Sequence, residues 1–447
     1  MKTSVWITLL SFFLSTFSFF PCSLKAQEIY DLKRCLETGL EKNFAVRIVK
    51  NSQQISDNNA SAGNAGYLPT IDLRGNYSGI LSNLQRQYPA DGSSMIEHQN
   101  VIDQTLDAGI YLNFTVFDGL NIQTNYRKLK EFREKGRLQT QWEIENFIAG
   151  LCTEYYNYIQ QTIRLNNLKS TLSLSRERLR IVESQYAIGS MSRLSFQQAK
   201  VDFNEDSSKL VKQQEVLFAS SVKLNQLMAD SSLEQFIFTT DTSIALKAIF
   251  EKESLWKKTM ENNIFLLLAE KEIDVTALEL KNLQSANYPY LRINAGYGYT
   301  FNTYQTSVYK KQDNLGLTYG VTLGVNLFDG MNRRRKQVNA KIEIETKKLD
   351  YEKLQLDIKS DFTNIWMAYM NNLGLIELEE DNLKTAKETY DIAIDQYKLG
   401  SLSGIELREA QNSLLEAEER YIQAVYTTKL CEISLLQISG QIESYLN

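Results

Sequence analysis

Four short segments of the chain alternate apolar and polar residues with a period of two. "TIDLRGNY" sets Ile71, Leu73 and Tyr77 against Asp72, Arg74 and Asn76, and "GIYLNFTVF" puts Ile110, Leu112, Phe114 and Val116 on one side. "YLRINAGYGYTF" places Leu291, Ile293, Ala295, Tyr297, Tyr299 and Phe301 opposite Arg292, Asn294 and two glycines. "GVTLGVNLF" repeats the pattern with Val321, Leu323, Val325 and Leu327. Successive side chains of a strand point to opposite faces, so strands are expected over about 69–80, 106–117, 289–301 and 317–328, each with one apolar face. A transmembrane β-strand and one face of a soluble sandwich share this signature. Four strands cannot close around water, so a barrel would need strands from several copies.

A helical period governs most of the rest. Ile144, Phe147, Ile148, Leu151, Tyr155, Tyr158 and Ile159 step by three and four, and so do Ile358, Phe362, Ile365, Trp366, Tyr369, Leu373 and Ile376. The chain has four prolines, and none falls between Asn121 and Ala187. Helices are therefore expected over about 120–187 and 331–398, with shorter returning helices over about 191–229 and 402–440. At 1.5 Å per residue a helix of about 67 residues is roughly 100 Å long, wider than any ordinary globular core. Such rods must pack side by side as a bundle or a coiled-coil wall, which the segments near 31–65 and 253–285 can continue.

The two patterns meet at a repeated tripeptide. Phe117–Asp118–Gly119 recurs as Phe328–Asp329–Gly330, an offset of 211 (328 − 117), and "ESQYAIGSMSRLSFQQAK" recurs at the same offset as "IDQYKLGSLSGIELREAQ". Upstream, Pro69 pairs with Pro289 and Asn43 with Asn263, both 220 apart, so a polar loop from about Ser82 to Gln104 has to absorb the difference. The mature chain reads as one pattern written twice, over 27–240 and 241–447. At each junction the aspartate is placed to cap the helix that follows, and the glycine eases the bend.

Composition narrows the chemistry. Lys2, an apolar run and a small residue at Ala26 make residues 1–26 a secretion signal, with cleavage after Ala26. Cys22 raises a lipoprotein alternative, but "FFPC" lacks the small residues such a site needs. A formal charge of −5 gives no basic surplus to hold nucleic acid. Cys35, Cys152 and Cys431 are odd in number and widely spaced, and the single histidine, His98, sits in the polar loop, so neither a disulfide framework nor a metal site is expected. No nucleophile elbow, phosphate loop or metal cluster points to an enzyme, and no cofactor is expected.

The duplicated strand–FDG–helix passages, with "YAIGSMSRLSFQQA" and "YKLGSLSGIELREA", resemble the TolC family of outer-membrane efflux proteins over nearly the whole mature chain. The resemblance implies a mixed, mainly α fold built from an internal duplication. Three protomers of four strands each would form a twelve-stranded outer-membrane β-barrel, continued by a long periplasmic α-helical barrel. It implies a homotrimer that meets outer-membrane lipid, a periplasmic adaptor protein and an inner-membrane transporter. It places tip turns at Tyr186–Gly189 and Tyr397–Gly400, and by position it matches Glu406 and Glu409 to pore-facing acidic rings. Glutamates at an ordinary helix start are the plainer reading of that pair. The family's tip lock keeps its tyrosine here as Tyr397, but Leu402 stands where it uses arginine and Ser195 where it uses aspartate. Arg333–Arg335 are placed either to meet lipid phosphates or as a solvated helix face. The expected function is a passive exit duct of a tripartite efflux or type I secretion system. The alternative is a periplasmic coiled-coil structural or adaptor protein without a barrel.

Overall fold

A computed structural model describes residues 30–87, 95–237, 239, 241–247 and 249–446. The expected leader, with Cys22, lies outside the described residues. The chain divides into two units. One, the sheet unit, comprises Leu40–Thr153, Leu246–Leu378 and Thr427–Asn447; the other, the turn unit, comprises the segment ending at Gly39 together with Glu154–Ala245 and Glu379–Tyr426.

Strands β1 (Thr70–Gln87), β2 (Met95–Asp118), β3 (Tyr290–Thr303) and β4 (Lys311–Gly324) form one antiparallel sheet in the order β1-β2-β3-β4. Its register aligns Leu73, Ile110, Tyr297 and Leu317 in one row and Ile71, Leu112, Ala295 and Tyr319 in the next. Two expectations are corrected. Much of the segment assigned to a polar loop, 82–104, is strand, and His98 lies in β2 opposite Leu84. Its few apolar residues fall on both faces, Val101 and Ile102 side by side, so no alternation marks them, and the ladder shifts register between Ser82 and Leu84. Conversely, β4 ends at Gly324, because its partner β3 begins at Tyr290 and offers no further backbone to pair with Val325–Phe328.

The helices are α1 (Leu32–Lys42), α2 (Phe44–Asn59), α3 (Ala62–Ala65), α4 (Asn121–Ala187), α5 (Arg193–Leu227), α6 (Lys252–Asn262), α7 (Ile264–Ser285), α8 (Asn332–Lys398) and α9 (Gly404–Ile438), followed by a 3₁₀ turn at Ile442–Tyr445. Helices α4 and α8 have 67 residues each, and α5 and α9 have 35 each. Asn43 and Asn263, singled out by their spacing, cap α2 and α7 in the same way, each side chain accepting from the two N–H groups of the following turn. The apolar stripes are buried. In the sheet unit Phe362, Trp366 and Tyr369 of α8 pack with Leu255 of α6 and Leu435 of α9. In the turn unit Tyr155, Tyr158 and Ile159 of α4 are all buried. Among the described residues no helix is long and apolar enough to cross a membrane.

Candidate functional site

The sheet presents two chemically opposite faces. Leu73, Leu317, Tyr319, Val321 and Leu323 are each more than half exposed on one of them. An apolar surface this continuous is unfavourable in water and needs cover. The opposite face is polar and internally bonded. The Tyr111 hydroxyl donates to Asp107 at 2.6 Å, Thr300 donates to the other Asp107 oxygen at 2.9 Å, and Arg74 pairs with Asp72. Tyr111 lies so close over Gly296 that a Cβ there would meet its ring at 2.6 Å, so that position needs glycine. Strands β1 and β4 each have a single neighbour, which leaves the sheet with two open edges.

Each FDG junction turns on two consecutive left-handed residues. Gly119 and Leu120 have φ of 71° and 73°, and Gly330 and Met331 have 69° and 65°. The aspartates do cap, but from further back than expected. Asp118 accepts from the N–H of Ile122 at 3.1 Å, and Asp329 from that of Arg333 at 2.9 Å, each reaching over the double bend. Phe117 still pairs with Leu291 in the sheet, whereas Phe328 is mostly exposed. Arg333 is engaged with Asp329 and with the carbonyl of Ala286, while Arg334 and Arg335 are exposed.

In the turn unit the two Tyr–Gly turns share their backbone. Gly189 (φ 79°) and Gly400 (φ 78°) end α4 and α8. The N–H of Ser190 reaches the carbonyl of Gln185 at 2.9 Å, and that of Ser401 reaches Gln396 at 3.0 Å, the closing bonds of a Schellman turn. A Cβ at either glycine would meet nothing within 4 Å, so backbone conformation, not space, selects glycine. The side chains differ. Tyr186 is partly exposed and stacks on Phe196 at 5.3 Å, whereas Tyr397 is only 8% exposed and packs with Val182, Ala199 and Leu407. Burial pushes the Tyr397 phenol up, against the opposing charge of Arg178.

Glu406 and Glu409 are both exposed at the start of α9. Glu406 accepts from the N–H of Ser403 at 2.9 Å while its own N–H donates to the Ser403 hydroxyl, a reciprocal capping box. Those bonds hold its carboxyl below the usual range. The matching turn at α5 has Ser192 capping Ser195, so the first passage keeps the cap without the charge.

Sequence reasoning missed the residues that bind these elements together. Arg408 of α9 forms a two-pronged bond with Asp206 of α5, at 2.6 and 2.8 Å, and Ser175 of α4 donates to the same carboxylate. Arg178 of α4 pairs with Asp202 of α5 and reaches the carbonyl of Gly404. Gln411 of α9 donates to Ser175 and to the carbonyl of Thr171. Arg178, Asp202, Asp206, Arg408 and Gln411 are all nearly inaccessible. Burial drives the Asp206 carboxyl up, but the bonds from Arg408 and Ser175 and the charge of Arg408 more than offset it and hold it below the ordinary value. The signal was present. Asp202 and Asp206 follow Ala199 by three and seven residues, on the face of α5 that the helical period assigns to the core. Beside this network lies a cavity of about 500 Å³, lined by Arg178, Asp202, Tyr397, Val182, Met191 and Leu194 among others.

With this geometry in hand, similarity to known proteins is informative. Residues 255–441 match the family described as outer membrane efflux protein. The outer membrane protein TolC of Vibrio cholerae is 19% identical over 303 residues, covering 67% of this chain and 68% of that protein. A membrane protein from Pseudomonas aeruginosa superposes with a TM-score of 0.75 at 13% identity, over 92% of this chain and 91% of the other. The Campylobacter jejuni CmeC outer membrane channel superposes with a TM-score of 0.72 at 14% identity, over 92% and 85%. At these identities the superpositions speak for the fold.

Proposed function

We propose, from the premise that this chain is a TolC-like outer membrane efflux protein with a large periplasmic helical portion, that it is the passive exit duct of a tripartite export system. Three copies would join their free sheet edges, β1 of one against β4 of the next, into a closed twelve-stranded barrel. Closure is the only way an antiparallel sheet satisfies all its backbone groups in lipid. The observation that carries this reading is the two-faced sheet, apolar outside and hydrogen-bonded polar inside, in the same chain as paired 67-residue helices. A coiled-coil adaptor without a barrel would leave that apolar face without a purpose. Equal helix lengths at a constant offset of 211 (332 − 121 and 404 − 193) support the internal duplication.

Two exposed stripes in the sheet unit suit the seams between copies. Val338, Ile342, Leu349 and Leu356 on α8, and Phe44, Ile48 and Ile55 on α2, recur at four- and seven-residue spacings. In the turn unit Ile188 and Leu399 are about four-fifths exposed, a surface suited to a periplasmic adaptor that links the duct to an inner-membrane pump. Around a threefold axis Glu406 and Glu409 would supply six carboxylates at the entrance, favouring cations. Glutamine keeps the capping geometry of Glu406 without its charge. Conductance of the purified protein in a planar bilayer, against Glu406→Gln and Glu409→Gln combined, tests both levels. The expected result is a stable pore whose cation preference falls in the variant. No pore at all would remove the duct, and a pore with unchanged selectivity would remove the glutamate rings.

A further inference from the structure

We propose that the cavity in the turn unit is a binding site for a small, neutral, mainly apolar molecule carrying one hydrogen-bond acceptor. Its volume of about 500 Å³ is within the usual range for small-molecule sites. Val182, Met191 and Leu194 supply an apolar wall. The charged wall is already balanced. Asp202 takes Arg178 on one oxygen and Gln198 on the other, and Arg408 is held by Asp206. An ionic guest would therefore find no free countercharge and would have to break a buried pair. The Tyr397 hydroxyl is a donor on this lining that no protein group takes up. Tyr397 is 8% exposed, lines the cavity, and makes no hydrogen bond to another described residue. Its oxygen is not among the sealed, unsatisfied polar atoms of the described residues, so water reaches it, and an acceptor on the guest would take that water's place. Leu194, 78% exposed, stands where the cavity meets solvent and gives a route in.

The walls belong to α4, α5, the end of α8 and the turn into α9, so a guest that touches all four would resist their separation. That consequence rests on the duct reading; the binding itself does not. Benzophenone is a suitable probe, being neutral and aromatic, with a carbonyl acceptor and photoreactive toward nearby C–H bonds. The purified full-length protein is irradiated with benzophenone, and the labelled residues are identified by peptide mass spectrometry. Labelling is expected to concentrate on Val182, Met191 and Leu194, above the background on the apolar sheet face at residues such as Leu317. Tyr397→Phe keeps the ring and removes the donor, and should lower cavity labelling about fivefold while leaving the sheet background unchanged. Leu194→Trp, at an exposed position that tolerates bulk, should lower it further by filling the mouth. Cavity labelling no higher than the sheet background would overturn the proposal, whether because nothing binds or because a neighbouring copy fills the space. Labelling indifferent to both variants would overturn it too. A protein that labels as expected but forms no pore would refute the duct and leave this site standing.

Discussion

Replacing Arg408 by methionine should loosen the turn unit far more than any surface change. Methionine keeps much of the buried stem but withdraws the guanidinium from Asp206, whose side chain is 1% exposed. The carboxylate would keep Ser175 as a donor and lose both bonds to arginine. Stranding one partner of a buried pair costs about 3–5 kcal/mol, a factor of roughly one hundred to several thousand in a local opening equilibrium. Hydrogen exchange read by mass spectrometry should show that acceleration in peptides from around Ser175, Asp206 and Gln411. The double variant Arg408→Met with Asp206→Leu removes the orphan charge as well and should recover most of the protection. Arg180→Met, which breaks an exposed pair with Glu177, should change nothing measurable. The pH dependence follows from the direction of the Asp206 shift. Its folded value is depressed, so the stabilisation is complete above the ordinary carboxylate value of 3.8 and is lost only as pH falls through the lower, folded value. Protection in the native protein should therefore hold through mild acid. The reasoning fails if the single and double variants exchange equally fast, or if Arg180→Met matches Arg408→Met.

Two further substitutions test the sheet and its junctions. Leu317→Lys and Thr318→Lys alter adjacent residues on opposite faces of β4. On the lipid face a lysine costs about 2–4 kcal/mol at the bilayer midplane, whereas the lumen side accepts it. Heat-resistant oligomer in outer-membrane fractions should drop for the first and persist for the second, and equal loss would deny that the faces differ. Gly119→Ala should be much more damaging than Gly330→Ala. Both positions have positive φ, which costs about 1–3 kcal/mol for alanine, but at 119 the new methyl would also meet the Ser285 carbonyl oxygen at 2.3 Å, while at 330 the nearest atom is 3.5 Å away. Equal folding yields for the two variants would show that the Ser285 contact is unimportant.

Elements whose period was carried by burial on one side could be read directly from the residues. The shared apolar face of Leu73, Ile110 and Tyr297 came from alternation alone, because the two faces of the sheet carry opposite chemistry on neighbouring residues. The hairpin extension through Glu97 and His98 was hidden for the converse reason: its few apolar residues are scattered over both faces, with Val101 and Ile102 side by side, so its ladder leaves no period-two pattern. Asn43 and Asn263 were visible only as a repeat, their capping role emerging with the helices, whereas the paired glycines were visible because a helix end needs particular local chemistry. The buried pairs were obscured because amphipathic reasoning assigns charge to the solvent side. Asp202, Asp206 and Arg408 occupy core positions, and only tertiary packing brings their partners within reach.

That placement bears on how the turn unit can move. Apolar helix contacts resist a slide through many weak, interlocked contacts, and no single one of them sets the register. A two-pronged arginine–carboxylate bond has one register, and a shift of even 1 Å breaks it. Arg408 and Gln411 fix α9 to α4 and α5 in this way at two successive turns, and Arg178 adds a bond to the backbone at Gly404, where α9 begins. By contrast, the Tyr186–Phe196 stack beside the first turn is partly exposed, and the Ser192–Ser195 cap carries no charge. Any separation of α9 from α4 and α5 would therefore have to break these bonds one after another. On this reasoning the buried arginines would resist it more than the exposed stack and uncharged cap of the first turn.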